Sequence, residues 1–302
     1  MKKGELANNP DIARLLAHCR VSDGARLRLD EHDPSHTGGF KLDHAEAEAL
    51  LATGVARLSE MQEKLYAQDR YALILVLQAM DTAGKDGTIK HVLSGVNPQG
   101  VSVTSFKAPE PSELAHDFLW RVHRVLPRRG QIGILNRSHY EEVLVVRVHP
   151  EILARQRLPE ASRGEHVWRE RLRDIAAFET YLARQGMVVL KIFLNLSRAE
   201  QKRRLLARLE DPAKHWKFDP ADLAERAHWD EYRHAYQEAI AATAAPHAPW
   251  LIIPADHKWF ARLLVAAAIV EALEGLDLAY PTLDAAARGR LAQARKRLEG
   301  ER

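Results

Sequence analysis

The sequence predicts an α/β protein of three layers, in which a parallel sheet is covered by helices on both faces. Continuous apolar runs of strand length alternate with segments of helical periodicity, and a glycine-rich turn follows the first run. A strand that is apolar at every position is buried on both faces, as in a parallel sheet. The predicted strands are residues 71–77, 101–106, 131–135, 187–196 and 250–253.

A long helix is predicted before the first strand, over residues 43–67, with Asp43 as its N-cap. Apolar residues recur within it at spacings of three and four, which is typical of an amphipathic helix. Further helices are predicted at residues 111–124, 138–145, 166–185, 198–210, 220–243 and 256–275. We expect an irregular N-terminal extension over residues 1–42, a single domain over residues 43–280, and a solvated helical tail over residues 281–302.

The composition of the 302 residues excludes several classes of protein. Hydrophobic residues make up 46% and charged residues 28%, with a formal net charge of +3, which does not indicate a nucleic-acid partner. No apolar run approaches the roughly 20 residues of a membrane span, and the N-terminus has no apolar signal core. A single cysteine, Cys19, excludes an intramolecular disulfide. We therefore expect a cytoplasmic protein.

The turn after the first strand carries the first candidate site. Residues 78–88 read QAMDTAGKDGT, against a phosphate-loop consensus of Gly-x4-Gly-Lys-Ser/Thr. Ala79 takes the first glycine position, Gly84 and Lys85 match, and Asp86 replaces the hydroxyl residue. Asp81 is the natural substitute as a metal ligand. The predicted phosphate-binding residues are Ala83, Gly84, Lys85, Asp86, Gly87 and Thr88.

The segment after the third strand reads NRSHYEE over residues 136–142. The carboxyl end of a parallel strand faces the ligand crevice, so this segment should meet the phosphate loop. Arg137 is a candidate fork for an acceptor phosphate, although an ion pair with a nearby glutamate is the alternative. We predict nucleotide binding by Asn136, Arg137, Glu141 and Glu142, and metal binding by Asp81, Asn136 and Glu142.

Basic residues concentrate after the fourth strand, over residues 198–218. A charged run is often a solvated face, but its position favours a mobile helical lid that closes over phosphates. Arg204 and Arg208 lie one helical turn apart and are predicted to be catalytic, together with Asp81, Lys85 and Arg137. Arg203 and Lys217 are predicted to bind phosphate, and Trp216 to stack on a nucleotide base. Lys90, Lys107, Arg128 and Arg129 are predicted to extend the basic track.

These motifs together resemble the polyphosphate kinase type 2 family, and in particular its class III, over about residues 25–280. The stretches that carry the resemblance are residues 77–89, 94–100, 136–147, 208–218 and 248–256. The resemblance implies a thymidylate-kinase-like P-loop fold and a reversible transfer of phosphate from inorganic polyphosphate to AMP and ADP. It also implies Mg²⁺ or Mn²⁺ as cofactor, adenine or alternatively guanine nucleotides as substrates, and a homodimer or homotetramer.

The same resemblance implies roles for individual residues. Asp81 and Lys85 take the phosphate-loop roles, while Arg137, Arg204 and Arg208 clamp phosphates. Asn136 is aspartate in other branches of the family, and Glu142 stands where related sequences often have aspartate. Two alternatives stay open: an ATP-dependent nucleoside monophosphate kinase, and a non-catalytic module that binds nucleotide or polyphosphate.

Overall fold

A mostly parallel sheet of six strands forms the centre of the molecule. The computed structural model describes residue 6 and residues 9–301, apart from the side chain of Lys217. The strands are β1 (Arg20–Val21), β2 (Ala72–Ala79), β3 (Val101–Ser105), β4 (Ile132–Asn136), β5 (Met187–Asn195) and β6 (Trp250–Pro254). Their spatial order is β1-β6-β5-β2-β4-β3. All neighbouring pairs are parallel except β1 and β6, so the predicted parallel sheet is confirmed.

The described part of the chain forms twelve helices, several of which pack against the two faces of the sheet. They are α1 (Pro10–Cys19), α2 (His44–Gln68), α3 (Lys85–Val92), α4 (Trp120–His123), α5 (Val145–Val148), α6 (Pro150–Arg155), α7 (His166–Arg184), α8 (Arg198–Glu210), α9 (Ala221–Ala227), α10 (Trp229–Thr243), α11 (Lys258–Glu274) and α12 (Ala285–Gly300). Asp43 caps α2 through a capping box, as its position predicts.

Alternate side chains of β2 enter two separate cores. Leu73, Leu75 and Leu77 join the cluster formed with α1, α2 and α11, whereas Ile74 and Val76 join the cluster formed with α7 and α10. Because successive side chains of a strand point to opposite faces, a strand that is apolar throughout feeds both layers. The three-layer arrangement predicted from the continuous apolar runs is therefore confirmed.

The N-terminal segment is more ordered than its turn-rich composition predicts. Ile12, Leu15 and Leu16 of α1 are buried in the first core, and β1 adds an antiparallel edge to the sheet, with Arg20 opposite Leu251. Two residues are too few to show a strand period, so the sequence gives no signal for β1. The first residues of the expected extension, 1–5, 7 and 8, lie outside the described residues.

Three predicted helices are shorter or interrupted in the structure. Residues 111–124 form a 3₁₀ turn, Glu113–Ala115, and the short α4, while residues 138–145 form a 3₁₀ turn, His139–Glu142, before α5. The predicted helix 220–243 divides at His228 into α9 and α10. In the turn His139–Glu142, Tyr140 bonds to α7 and α10 while Glu142 bonds to other partners on α7, so tertiary contacts override helical periodicity.

The last helix, α12, has no buried residue and corresponds to the predicted helical tail. Across residue 6 and residues 9–301, none of the helices combines the length and the apolar character needed to cross a bilayer.

Candidate active site

The phosphate loop connects the end of β2 to the start of α3. Gly84 is the N-cap of α3 and has a φ of 101°, a backbone conformation that favours glycine. Thr82 also has a positive φ, of 65°, which is rare for a β-branched residue. The loop therefore turns sharply enough to direct the unpaired N–H groups of the first turn of α3 toward an anion.

A cleft of about 580 Å³ opens over this loop. It is bounded by the carboxyl ends of β3 and β4, by α8, and by the first turns of α11. All six residues predicted to bind phosphate in the loop line it: Ala83, Gly84, Lys85, Asp86, Gly87 and Thr88. The carboxyl ends of parallel strands and a helix N-terminus thus meet at one place, as expected for a site at the switch point of an α/β sheet.

Lys85 lies at the base of the cleft. Its Nζ is 3.3 Å from the carbonyl oxygen of Ala79, the residue in the first consensus position. Burial, followed by the positive charge of Arg137, holds the pKa of Lys85 below its ordinary value. Because burial disfavours an ammonium group, a bound phosphate would stabilise the charged form of this side chain.

Arg137 stands between two carboxylates. Its φ is 62°, and its guanidinium donates hydrogen bonds to Asp81 at 3.0 Å and to Glu141 at 3.1 Å. Burial works against the charge of Arg137, but Glu141 and Asp81 outweigh it and raise its pKa. Burial raises the pKa of Glu141. The alternative of an ion pair with a glutamate is thus present, yet the side chain of Arg137 is 40% exposed and lines the cleft.

A smaller cavity of about 210 Å³ lies on the other side of Arg137 and Asp81. Tyr232 and Tyr236 of α10 line it, together with Glu141 and aliphatic side chains. The phenol of Tyr232 donates to Glu225 at 2.6 Å. Two aromatic rings and three carboxylates beside the guanidinium of Arg137 form a chamber that is less polar than the cleft.

Asn136 contributes oxygen and nitrogen atoms to the cleft. Its amide nitrogen donates to Asp86 at 2.7 Å, while its Oδ1 is buried and has no hydrogen-bond partner among the described residues. A buried acceptor without a hydrogen-bond partner costs free energy unless a donor or a cation binds to it. With the carboxylates of Asp81 and Asp86 in the same cleft, the oxygen donors suit a hard divalent cation bound mainly through phosphate.

Glu142 does not join this group. Its carboxylate accepts hydrogen bonds from Arg171 at 3.0 Å and Gln156 at 2.8 Å, and it lines a separate cavity of about 430 Å³. The structure does not bring Glu142 to the cleft, and its binding of metal and nucleotide stays a prediction. In the turn His139–Glu142, neighbouring side chains point in different directions, so Glu141 faces Arg137 and Glu142 faces α7.

The helix predicted for the lid is present, with α8 ending at Glu210 and a 3₁₀ turn over Pro212–Lys217, and its closure over phosphates stays a prediction. Arg203, Arg208 and Lys214 line the cleft, and Arg208 pairs with Asp222 at 3.2 Å. The side chain of Lys217 lies outside the described part of the chain. Trp216 is 79% exposed, and its stacking on a base stays a prediction.

Arg204 lines the cleft but does not have a free guanidinium. Its nitrogen atoms donate to the carbonyls of Thr82, Ala83, Ala255 and Asp256 and to the carboxylate of Glu200. The clamping of a substrate phosphate by Arg204 stays a prediction, and a phosphate that bound this guanidinium would have to replace some of these hydrogen bonds.

The prediction of an extended basic track is wrong in part. Lys107 lines the cleft at the end of β3. Arg129, however, donates to the carbonyls of Arg70 and Gln185, which precede β2 and β5, so it lies at the opposite edge of the sheet together with its neighbour Arg128. Lys90, on α3, is exposed and outside the lining of the cleft.

Two cations of the cleft had not been predicted. Lys258 and Arg262 lie one turn apart at the start of α11, which follows β6. Residues four apart share a helix face, and the element after a parallel strand begins at the ligand edge of the sheet. That combination is a signal available in the sequence, although the mostly apolar composition of α11 obscures it.

A parallel sheet, a phosphate loop between a buried strand and a helix, and a cleft rich in Lys and Arg define the class of this protein. It is a P-loop phosphotransferase, since the arrangement offers positioning and charge neutralisation and no nucleophilic triad is required.

Comparison with known proteins gives the family. The family model described as Polyphosphate kinase 2 (PPK2) matches residues 41–280. The chain belongs to the polyphosphate kinase 2 family, and the predicted family, P-loop kinase fold and enzyme class are confirmed.

The relatives agree with this assignment over nearly full length. The chain is 47% identical to an ADP-polyphosphate phosphotransferase of Rhodopseudomonas palustris, over 92% of this chain and 96% of that protein. It is 46% identical to an AMP/ADP-polyphosphate phosphotransferase of Meiothermus ruber, over 87% and 94% respectively. The crystal structure of polyphosphate kinase 2 from Arthrobacter aurescens superposes with a TM-score of 0.84 at 42% identity, covering 96% of this chain and 99% of that one.

Proposed function

We propose that this enzyme transfers the terminal phosphate of inorganic polyphosphate to AMP and ADP, forming ADP and ATP, in a reversible reaction. The observation that carries the proposal is the charge of the cleft. Among the described residues that line it, nine are Lys or Arg and three are Asp. An excess of this size, spread over the loop, two strand ends, two helices and the 3₁₀ turn Pro212–Lys217, suits a polyanion longer than a nucleoside triphosphate.

The donor is proposed to run through the cleft. Lys85 and the N–H groups at the start of α3 bind its reacting end. Arg203, Arg208 and Lys214 approach from the lid, and Lys258 and Arg262 from the start of α11. These cations compensate the charge of the chain and hold its terminal phosphate in line with the acceptor oxygen.

The acceptor is proposed to approach from the smaller cavity. Arg137 separates the two spaces, so its exposed guanidinium is placed to hold the acceptor phosphate, while Asp81 and Glu141 fix its orientation. The rings of Tyr232 and Tyr236 offer faces for a purine, and carboxylates nearby accept hydrogen bonds from ribose hydroxyls. The names of the Rhodopseudomonas and Meiothermus relatives support ADP and AMP as acceptors.

Guanine nucleotides are a second acceptor class, supported by the name of a Mycobacterium tuberculosis relative, a GDP-polyphosphate phosphotransferase that is 29% identical over 90% of this chain. Nothing in the smaller cavity excludes a guanine by size, so the assay should include both bases. The homodimer or homotetramer stays a prediction.

Mg²⁺ or Mn²⁺ is the proposed cofactor, held by Asp81, Asp86 and the orphaned Oδ1 of Asn136 together with substrate phosphates. When bound, such an ion neutralises charge on the phosphates that react. Asp86 enters this set in place of Glu142, because its carboxylate lies 2.7 Å from the amide nitrogen of Asn136.

The test is a transfer assay with long-chain polyphosphate, Mg²⁺ and AMP or ADP, run beside a reaction in which ATP is the donor to AMP. We expect ADP and ATP to form from polyphosphate in the wild type, and Lys85→Ala to abolish their formation. Activity with ATP alone would make the protein a nucleoside monophosphate kinase. Binding of polyphosphate without transfer to any acceptor would leave a non-catalytic module.

A further inference from the structure

One face of α8 holds the backbone of the phosphate loop. Gln201 donates its amide to the carbonyl oxygen of Asp81 at 3.1 Å, and Arg204 donates to the carbonyls of Thr82 at 3.2 Å and Ala83 at 2.8 Å. Residues three apart share a helix face, so these two side chains reach three consecutive carbonyls. We propose that Gln201 and Arg204 are positioning residues that keep the phosphate loop in its binding conformation.

All N–H donors of the Arg204 guanidinium are used in hydrogen bonds to the protein. Besides the two loop carbonyls, it donates to Ala255 at 2.6 Å and Asp256 at 3.1 Å, which follow β6, and to Glu200 at 2.7 Å. The residue is 5% exposed. Because a guanidinium has five N–H donors and no acceptor, these contacts use the whole group and tie the loop to the end of the sheet.

Gln201 is fixed in the same way. It is 3% exposed, and its amide oxygen accepts a hydrogen bond from Arg226 at 2.5 Å, which orients the amide nitrogen toward Asp81. Both groups are therefore held by neighbours of their own and act on the loop as rigid supports.

The segment that these two side chains hold includes a residue with a strained backbone. Thr82, with its φ of 65°, lies in a region that β-branched residues rarely adopt. The peptide bond before Thr82 carries the carbonyl held by Gln201, and the peptide bond after it carries a carbonyl held by Arg204. Strained conformations persist where the surrounding structure determines them, and here α8 supplies both constraints.

Holding these carbonyls also directs the donors of the loop. A peptide unit is planar and trans, so its N–H points opposite to its C=O. Fixing the carbonyls of residues 81–83 fixes the N–H groups of residues 82–84, of which that of Ala83 closes a turn onto Met80 at 3.3 Å. The loop thus reaches Gly84 and the start of α3 in a single orientation, ready for phosphate.

The first test compares two substitutions of Arg204. A clamp that acts by charge would tolerate Arg204→Lys and fail in Arg204→Gln, whereas a support that needs five directed donors fails in both. We expect both variants to lower kcat/KM for polyphosphate by about 100-fold, the cost of a misplaced catalytic loop. Wild-type kcat/KM in Arg204→Lys, with loss in Arg204→Gln, would overturn the proposal.

The second test uses the strain at Thr82. Glycine adopts a positive φ without strain, so Thr82→Gly should lessen the damage that Arg204→Lys causes. We expect the double variant to lose less kcat/KM than the two single variants predict together. Additive losses would contradict a role of Arg204 in holding Thr82. Arg171→Lys, at a buried arginine away from the cleft, should lower the melting temperature and leave KM for polyphosphate unchanged.

This proposal rests on the proposed function only for its kinetic readout. Binding of inorganic tripolyphosphate, measured by calorimetry on the same variants, tests whether the phosphate loop still binds phosphate, and it requires no acceptor nucleotide. Transfer failing in the wild type while tripolyphosphate binding still falls in Arg204→Lys would refute the proposed reaction and support the positioning role. Unchanged tripolyphosphate binding in both Arg204 variants would overturn the positioning role alone.

Discussion

Replacing Lys191 with Met should destabilise the enzyme through one buried network. Lys191 lies on β5 with its side chain fully buried. Its ammonium donates to Glu179 at 2.5 Å and to the carbonyl of Thr243 at 2.7 Å, and the phenol of Tyr140 donates to Glu179 at 2.9 Å. Burial disfavours the charge of Glu179, but Lys191 and His139 together outweigh it and keep the pKa of Glu179 below its ordinary value.

The size of the destabilisation follows from the buried charge that the substitution leaves without a partner. Methionine fills the volume of lysine but leaves Glu179 buried without its counter-ion, which costs about 3–5 kcal/mol. Unfolding entropy is about 2.1 cal/mol/K per residue, or about 0.6 kcal/mol/K for the 302 residues of this chain. The melting temperature should therefore fall by about 5–8 °C.

Differential scanning calorimetry of Lys191→Met measures this shift. The double variant Lys191→Met/Glu179→Leu removes both charges and should recover most of the loss, because apolar replacement of a whole buried pair is often near neutral. Arg295→Ala is the matched control at an exposed pair, Arg295–Glu299, and should leave the melting temperature unchanged. An unchanged melting temperature in Lys191→Met, or a further fall in the double variant, would refute this reasoning.

Three further predictions concern the cleft and the helix α8 beside it. Lys258→Met and Arg262→Met should each reduce the slope of log(kcat/KM) for polyphosphate against log salt by about 1, because each removes one phosphate contact; an unchanged slope would place them off the polyphosphate path. Burial raises the pKa of Glu200, but hydrogen bonds from two arginines outweigh it and hold the pKa at about 2 rather than 4.5. Ionised Glu200 therefore stabilises the folded state above pH 4.5, and this contribution is lost as the pH falls toward 2. The melting temperature of Glu200→Gln should depend less on pH in this range than that of the wild type. An equal dependence on pH would contradict this prediction. Because burial lowers the pKa of Lys85, kcat/KM for polyphosphate should fall at a pH below the ordinary lysine range, and Lys85→Arg should move that fall upward; coincident pH profiles would exclude Lys85 as the group that titrates.

The sequence alone determined the features that depend on neighbouring residues. Continuous apolar runs located four of the five parallel strands, since a strand buried on both faces needs no distant information to be recognised; the fifth, β3, is a half-exposed edge strand in which Val101 and Val103 alternate with polar residues. The Gly84-Lys85 pair between such a strand and a helix located the phosphate loop, and Asn136 and Arg137 were placed at the ligand edge because they follow a parallel strand.

Tertiary structure decided what each charged side chain does. Arg204 and Arg208 have the same chemistry and lie one turn apart, yet Arg204 binds carbonyls 122 and 51 residues away in the chain, and Arg208 lines the cleft. Glu141 and Glu142 are adjacent but face different cavities. A residue type and its spacing give reach and charge, whereas the partner that satisfies a donor or a carboxylate is set by which distant elements the fold brings within hydrogen-bond distance.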